Sequence, residues 1–198
     1  MEKKIALAMT GASGVIYGVR TVAALLARGC RIDLTLSPAA REVLAEEMGV
    51  TLGSPPALAD LWPHPSGLTY YPPTQVAAPM ASGSNRYDAY IVVPCSTGSM
   101  GRIASGTSDN LVGRMAEVAL KERRPLILVP RESPYSTIML ENMTRLSRAG
   151  AIILPASPGF YHHPSDINEL VDFVVGRILS HLGFSDRPGP AGWTPKAP

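Results

Sequence analysis

Cysteine is nearly absent. Cys30 and Cys95 are the only two in 198 residues, and they form neither a disulfide framework nor a metal-ligand spacing. A large excess of one charge is missing too: the net charge of +2 gives no footprint for nucleic acid or for an anionic membrane surface. No apolar run is long enough to cross a bilayer, and no signal peptide precedes the first strand after Met-Glu-Lys-Lys. Internal repeats are lacking as well. These absences leave a cytoplasmic protein that binds neither nucleic acid nor membrane. At 45% hydrophobic residues the chain can bury one substantial core. One domain is therefore expected over 1–185, followed by a Pro/Gly-rich tail, 186–198, that forms no regular element.

What is present is an alternation of short apolar runs and amphipathic segments. Ile5–Met9 reads as a buried strand and leads through Thr10-Gly11-Ala12-Ser13-Gly14 into a helix ending near Gly29. Arg31–Leu36 is a second strand, and Ser37-Pro38 opens a second helix carrying Glu42, Glu46 and Glu47. Gly53–Pro79 is rich in proline and without period, so it is expected as an excursion over the surface. Tyr87–Val93, Pro125–Pro130 and Ala151–Leu154 are further strands, with helices over Pro134–Gly150 and Asp166–Leu182. This order predicts a three-layer α/β/α sandwich, Rossmann-like or flavodoxin-like, on a mainly parallel sheet.

The chemistry concentrates at the expected carboxyl ends of the strands, where open α/β sheets bind ligands. The first glycine loop is shorter than a dinucleotide fingerprint; it is either an ordinary tight turn or the seat of one phosphate, held by Ser13 and backbone N–H groups. Ser96-Thr97-Gly98-Ser99 follows the strand that ends at Pro94, and offers hydroxyls and N–H groups. Thr107-Ser108-Asp109 are taken as N-cap residues of one long helix. On it Asn110, Arg114, Glu117 and Lys121, spaced four, three and four, form a polar stripe. The stripe is either a solvated face with a Glu117–Lys121 pair or part of a site that also takes Arg131 and Glu132 at the next strand's end.

Several segments in succession carry a resemblance: Gly11-Ala12-Ser13-Gly14, Ala81-Ser82-Gly83-Ser84, Pro94-Cys95-Ser96, Ser108-Asp109-Asn110-Leu111, Leu120-Lys121-Glu122-Arg123-Arg124, Arg131-Glu132, Glu141-Asn142-Met143 and Phe160-Tyr161. In this order the chain resembles the UbiX/Pad type of flavin prenyltransferases, over residues 5 to about 184. The resemblance implies a homo-dodecamer with FMN bound at subunit contacts. It implies transfer of a dimethylallyl group from dimethylallyl phosphate to N5 and C6 of reduced FMN, without a metal. The product, prenylated FMN, would serve a UbiD-type decarboxylase.

By position, the resemblance makes Gly11, Ala12, Ser13, Ser37, Ser96, Thr97, Gly98 and Ser99 the flavin cradle, with Arg114 at its edge. Arg131 would be shared with the substrate, and Lys121, Tyr161 and Arg177 would bind the prenyl phosphate. Glu132 would be the acid/base near N5, and Glu47 an active-site carboxylate. Asn85 departs from the family, which commonly has an aromatic residue there. Trp193 in the tail is expected to supply a replacement wall beside the prenyl group. Two other readings stay open: a flavin-dependent cysteine decarboxylase, and a non-catalytic protein that holds or delivers FMN.

Overall fold

The computed structural model describes residues 2–185; the tail, with Trp193, lies outside them. Six parallel strands form one sheet: β1 (Lys4–Met9), β2 (Arg31–Leu36), β3 (Leu68–Tyr70), β4 (Ala89–Cys95), β5 (Leu126–Pro130) and β6 (Ile152–Ile153). Their order is β3-β2-β1-β4-β5-β6. Register runs Leu7 to Leu34 on one side of β1 and Leu7 to Ile91 on the other. The order reverses between β1 and β4, so the loops leaving these two strands part to opposite faces and open a crevice at their carboxyl ends.

Period-two alternation divides the core. Ile5, Leu7 and Met9 of β1, Ile91 and Val93 of β4 and Ile127 and Val129 of β5 face one layer. That layer is made by α1 (Val15–Leu26), α2 (Pro38–Met48) and α6 (Ile167–His181). Ala6 and Ala8, Tyr90 and Val92, and Leu126 and Leu128 face the other, with α3 (Thr97–Ser105), α4 (Leu111–Lys121) and α5 (Thr137–Arg148). Small residues on β1 leave room on that face for the rings of Tyr87 and Tyr90, whose centroids are 5.4 Å apart. The expected three-layer α/β/α arrangement is what the chain adopts.

Three local expectations are corrected. The segment after β4 is two helices rather than a loop and one long helix. Ser96 caps the first, its hydroxyl accepting from Ser99 N, and burial of Met100, Ile103 and Ala104 supplies what the weak helix formers Gly98, Ser99 and Gly101 lack. The cap of α4 is Asn110, accepting from Gly113 N, not Thr107–Asp109. The Pro-rich excursion is also more than surface: it contributes β3 and drives Trp62 into the core, 3% exposed, with its indole N–H donated to Val19 O at 3.0 Å.

Candidate functional site

The crevice floor is tied together by a residue that sequence reasoning passed over. Thr10, just past β1, donates its hydroxyl to Pro94 O at 2.9 Å and accepts from Ser96 N at 2.7 Å. Its own N–H also reaches Pro94 O, at 3.1 Å. The ends of β1 and β4 are thereby locked in register where their loops diverge. A threonine between an apolar run and a glycine loop was the available signal.

On one side of the crevice lies the loop Gly11–Gly14. Gly11 packs so closely on α2 that a Cβ would collide with Ala39, and Gly14 has φ 93, which disfavours any side chain. The N–H groups opening α1, read from sequence as an ordinary tight turn or a phosphate seat, carry the Glu47 carboxylate. Gly14 N donates to its two oxygens at 2.9 and 3.1 Å, and Val15 N at 3.2 Å. A carboxylate suits the positive helix end for the same reason a phosphate would. Ser37 stands beside this loop, its N–H on Met9 O at 3.0 Å and its Oγ capping α2 through Ala40 N at 3.1 Å. That leaves the Ser37 hydroxyl proton available as a donor.

On the other side α3 begins. Ser96 Oγ donates to Ser99 Oγ at 3.0 Å and accepts from Ser99 N at 3.3 Å. The N–H groups of Thr97 and Gly98, in the first turn, have no partner inside the helix. A Cβ built on Gly98 meets nothing within 4 Å, so the helix end faces open space. Beneath it Cys95 is fully buried, and desolvation pushes its thiol pKa up to about 12.

Arg131, after β5, bridges toward the first loop: its Nε donates to Ser13 O at 3.0 Å. Its two terminal amino groups find no acceptor among the described residues. Glu132 Oε1 accepts from the adjacent Ser133 N at 3.0 Å, its one partner among the described residues. Tyr161 stands in the loop between β6 and α6, 52% exposed, with its ring edge-on to Phe173 at 5.7 Å. Arg177 lies one turn beyond Phe173 on α6 and is exposed. Ser13, Ser37, Glu47, Ser96–Ser99, Arg131 and Glu132 thus share the carboxyl-end rim.

Lys121 does not join them within one chain. It closes α4, about 15 Å along the helix axis from Leu111, and immediately precedes β5, whereas Arg131 follows that strand. There Lys121 Nζ pairs with Glu122 at 2.7 Å, not with Glu117, and abuts Gly83. Glu117 pairs instead with Arg114, also at 2.7 Å, and accepts from Ser108 Oγ at 2.6 Å. That hydroxyl first, then Arg114, holds the Glu117 carboxyl below its ordinary value. Asn85 sits at the same amino-end edge, its carbonyl accepting from Arg124 at 2.7 Å and its Nδ2 donating to Pro79 O at 3.2 Å. The expected polar stripe is therefore two separate pairings, at different levels of α4.

The crevice suits a flat ring system with an anionic arm: glycine-floored loops, unpaired helix N–H groups, several serine hydroxyls and one guanidinium aimed across it. A model of the flavoprotein family matches residues 1–179. The flavin prenyltransferase UbiX of Pseudomonas aeruginosa is 47% identical over 188 residues, covering 92% of this chain and 90% of that protein. Among solved structures, AnUbiX in complex with FMN and dimethylallyl pyrophosphate superposes with a TM-score of 0.87 at 36% identity, covering 98% of this chain and all of the other (100%). A dodecameric FMN-dependent UbiX-like decarboxylase from Escherichia coli O157:H7 gives a TM-score of 0.86 at 37% identity, over 97% and 100% of the two chains.

Proposed function

From its place in the flavoprotein family, to which the chain belongs, we propose how it acts as a flavin prenyltransferase on reduced FMN and dimethylallyl phosphate. The observation that carries the reading is the crevice at the β1–β4 reversal, faced by Ser13, Ser96–Ser99 and an Arg131 whose terminal amino groups find no acceptor among the described residues. Gly11, Ala12, Ser13, Ser37 and Ser96–Ser99 would hold the flavin, with Arg114 at the edge. Reduced FMN supplies the electron-rich N5 and C6 atoms to which the allyl group is joined.

The protein's own part is electrostatic and positional. As the allylic C–O bond breaks, its electron pair leaves with the phosphate. Cations converging on the phosphate oxygens stabilise the charge that develops there. Arg131, Arg177 and the Tyr161 hydroxyl fill that role from one protomer. Lys121, at the other end of the sheet, fills it for a neighbouring copy, as a site at subunit contacts requires. The Lys121–Glu122 pair is exposed, 51% and 35%, so releasing it costs little. Glu132, held only by its neighbour's N–H, moves a proton at N5. Glu47 is fixed beside the crevice by two N–H groups at the start of α1. The prenylated FMN would pass to a UbiD-type decarboxylase.

Anoxic incubation with reduced FMN and dimethylallyl phosphate tests the activity: the flavin gains the mass of the prenyl group. Unchanged flavin, with FMN still bound, would favour the holding or delivery protein. The same assay with the pyrophosphate ester measures which donor is preferred.

A further inference from the structure

The loop that presents Tyr161 is pinned by a closed set of three rings. His162 stacks on Phe173 with centroids 5.5 Å apart and planes 6° from parallel. Tyr161 stands edge-on to both, at 5.8 Å and 81° to His162 and at 5.7 Å and 77° to Phe173. Each ring touches the other two, so the Tyr161 phenol cannot swing away without opening the set. The backbone lies flush over it: a Cβ on Gly159 would fall 2.9 Å from Tyr161 Cε1 and 3.1 Å from Phe173 Cζ. Immediately after, His163 takes φ 54, and the chain turns away.

The His162 imidazole is unusual in that both ring nitrogens are buried and neither has a hydrogen-bond partner among the described residues. Buried imidazoles ordinarily pair at least one nitrogen, because an unmet polar atom opposes folding. In this chain the ring acts as a flat surface, not as a donor or acceptor. Its stacking partner Phe173 and the exposed Arg177 are four residues apart on α6 and share one face of that helix. The ring set therefore couples Tyr161 to the turn of α6 that carries Arg177.

We infer that His162 is a positioning residue, which by stacking on Phe173 holds the Tyr161 hydroxyl where it and Arg177 close on one phosphate. This rests on the reading of Tyr161 and Arg177 as phosphate ligands. Two groups fixed before the anion arrives bind it without the cost of ordering a mobile loop.

The experiment uses the full chain with reduced FMN, varies dimethylallyl phosphate under anoxia, and follows the prenylated-flavin mass alongside FMN affinity and thermal melting. His162→Ala is expected to raise KM for dimethylallyl phosphate about tenfold, with kcat and FMN affinity within about twofold of the parent. His162→Phe keeps the flat ring and is expected to keep the parental KM. If His162→Ala fails to fold, Phe173→Leu, which removes the other stacked ring, must reproduce the KM rise. A parental KM in His162→Ala, or in Phe173→Leu where that variant stands in, overturns the inference. So does His162→Phe impaired as much as His162→Ala, which would assign the effect to the imidazole nitrogens. Tyr161→Phe is the separate control: a parental KM there rejects Tyr161 as a phosphate ligand, whatever His162 does.

Discussion

At the amino ends of the strands the charged groups are closed on one another. Lys4 lies 3.5 Å from Asp33, which also accepts from Tyr87 OH, and its ammonium sits 4.4 Å from the Tyr87 ring centroid. Arg124 donates to the carbonyls of Gly83 and Asn85 at 2.7 Å each and to Tyr90 OH at 3.1 Å. At the carboxyl ends Arg131 and Glu132 are left open: among the described residues Arg131 donates to one carbonyl, and Glu132 accepts from one adjacent N–H. Lys4 and Arg124 are half-buried, as Arg131 and Glu132 are, so exposure does not separate these charged groups. What separates them is whether the chain supplies the partner. Groups that hold the fold are satisfied by the fold; Arg131 and Glu132 are not, and Lys121 is held by an exposed pair that a ligand can displace.

The sharpest way to break this contrast is at the open end. Glu132→Gln preserves shape and a hydrogen-bonding amide, so FMN should still bind while turnover falls about 10²-fold through lost proton transfer. Parental turnover in single-turnover measurements would remove Glu132 from the chemistry. Lys121 tests the contrast across copies. Lys121→Ala should raise KM for dimethylallyl phosphate roughly 10- to 100-fold, through loss of a charge-assisted contact of about 1.5–3 kcal/mol. Impaired Lys121→Ala and Arg131→Ala proteins, unfolded together and refolded as mixed oligomers, should regain activity at low dimethylallyl phosphate. Failure to regain it would return Lys121 to a purely local pair.

The closed end should respond in stability instead. Arg124→Ala removes three hydrogen bonds from one guanidinium, and is expected to lower unfolding free energy by about 2 kcal/mol in urea melts. FMN affinity per folded molecule should stay unchanged.

The smallest effect belongs to Glu117, whose folded pKa lies below its unfolded value because of Ser108 and Arg114. Its contribution is present above the unfolded value and fades as pH falls through the folded one. Ser108→Ala should remove no more than about 0.5 kcal/mol at neutral pH, since the pair is largely solvated, and the difference should vanish in acid melts.

These contrasts were unevenly legible in the sequence. Strands β1, β4 and β5 announce themselves as apolar runs, because strands buried on both faces leave no polar interruption, while β2 shows as the alternation of Ile32, Leu34 and Leu36 with polar residues. The three residues of β3 could not, since Leu68–Tyr70 is too short for any period and lies between prolines. Helix α3 was hidden by Gly98, Ser99 and Gly101, residues whose local preference is overridden by a cap and three buried side chains. Family resemblance nominated the rim residues, and Ser13, Ser96 and Arg131 do converge on one crevice. It could not place Lys121, because a linear pattern does not say at which end of a sheet a residue emerges. Nor did it mark Thr10 or His162, whose neighbours are distant in the chain.

An enzyme of this kind handles an allylic electrophile a few ångströms from its own side chains, and Cys95 lies directly under the helix that faces the flavin crevice. Thiolates are the side chains most readily alkylated by such a reagent. Full burial, which pushes its pKa up to about 12, keeps this sulfur protonated and walled off near neutral pH. The strand end thus protects the catalyst from its own substrate. Alkylation of Cys95 by added iodoacetamide would then be a signature of unfolding, readable by mass spectrometry as an adduct that accumulates only once β4 has left the sheet.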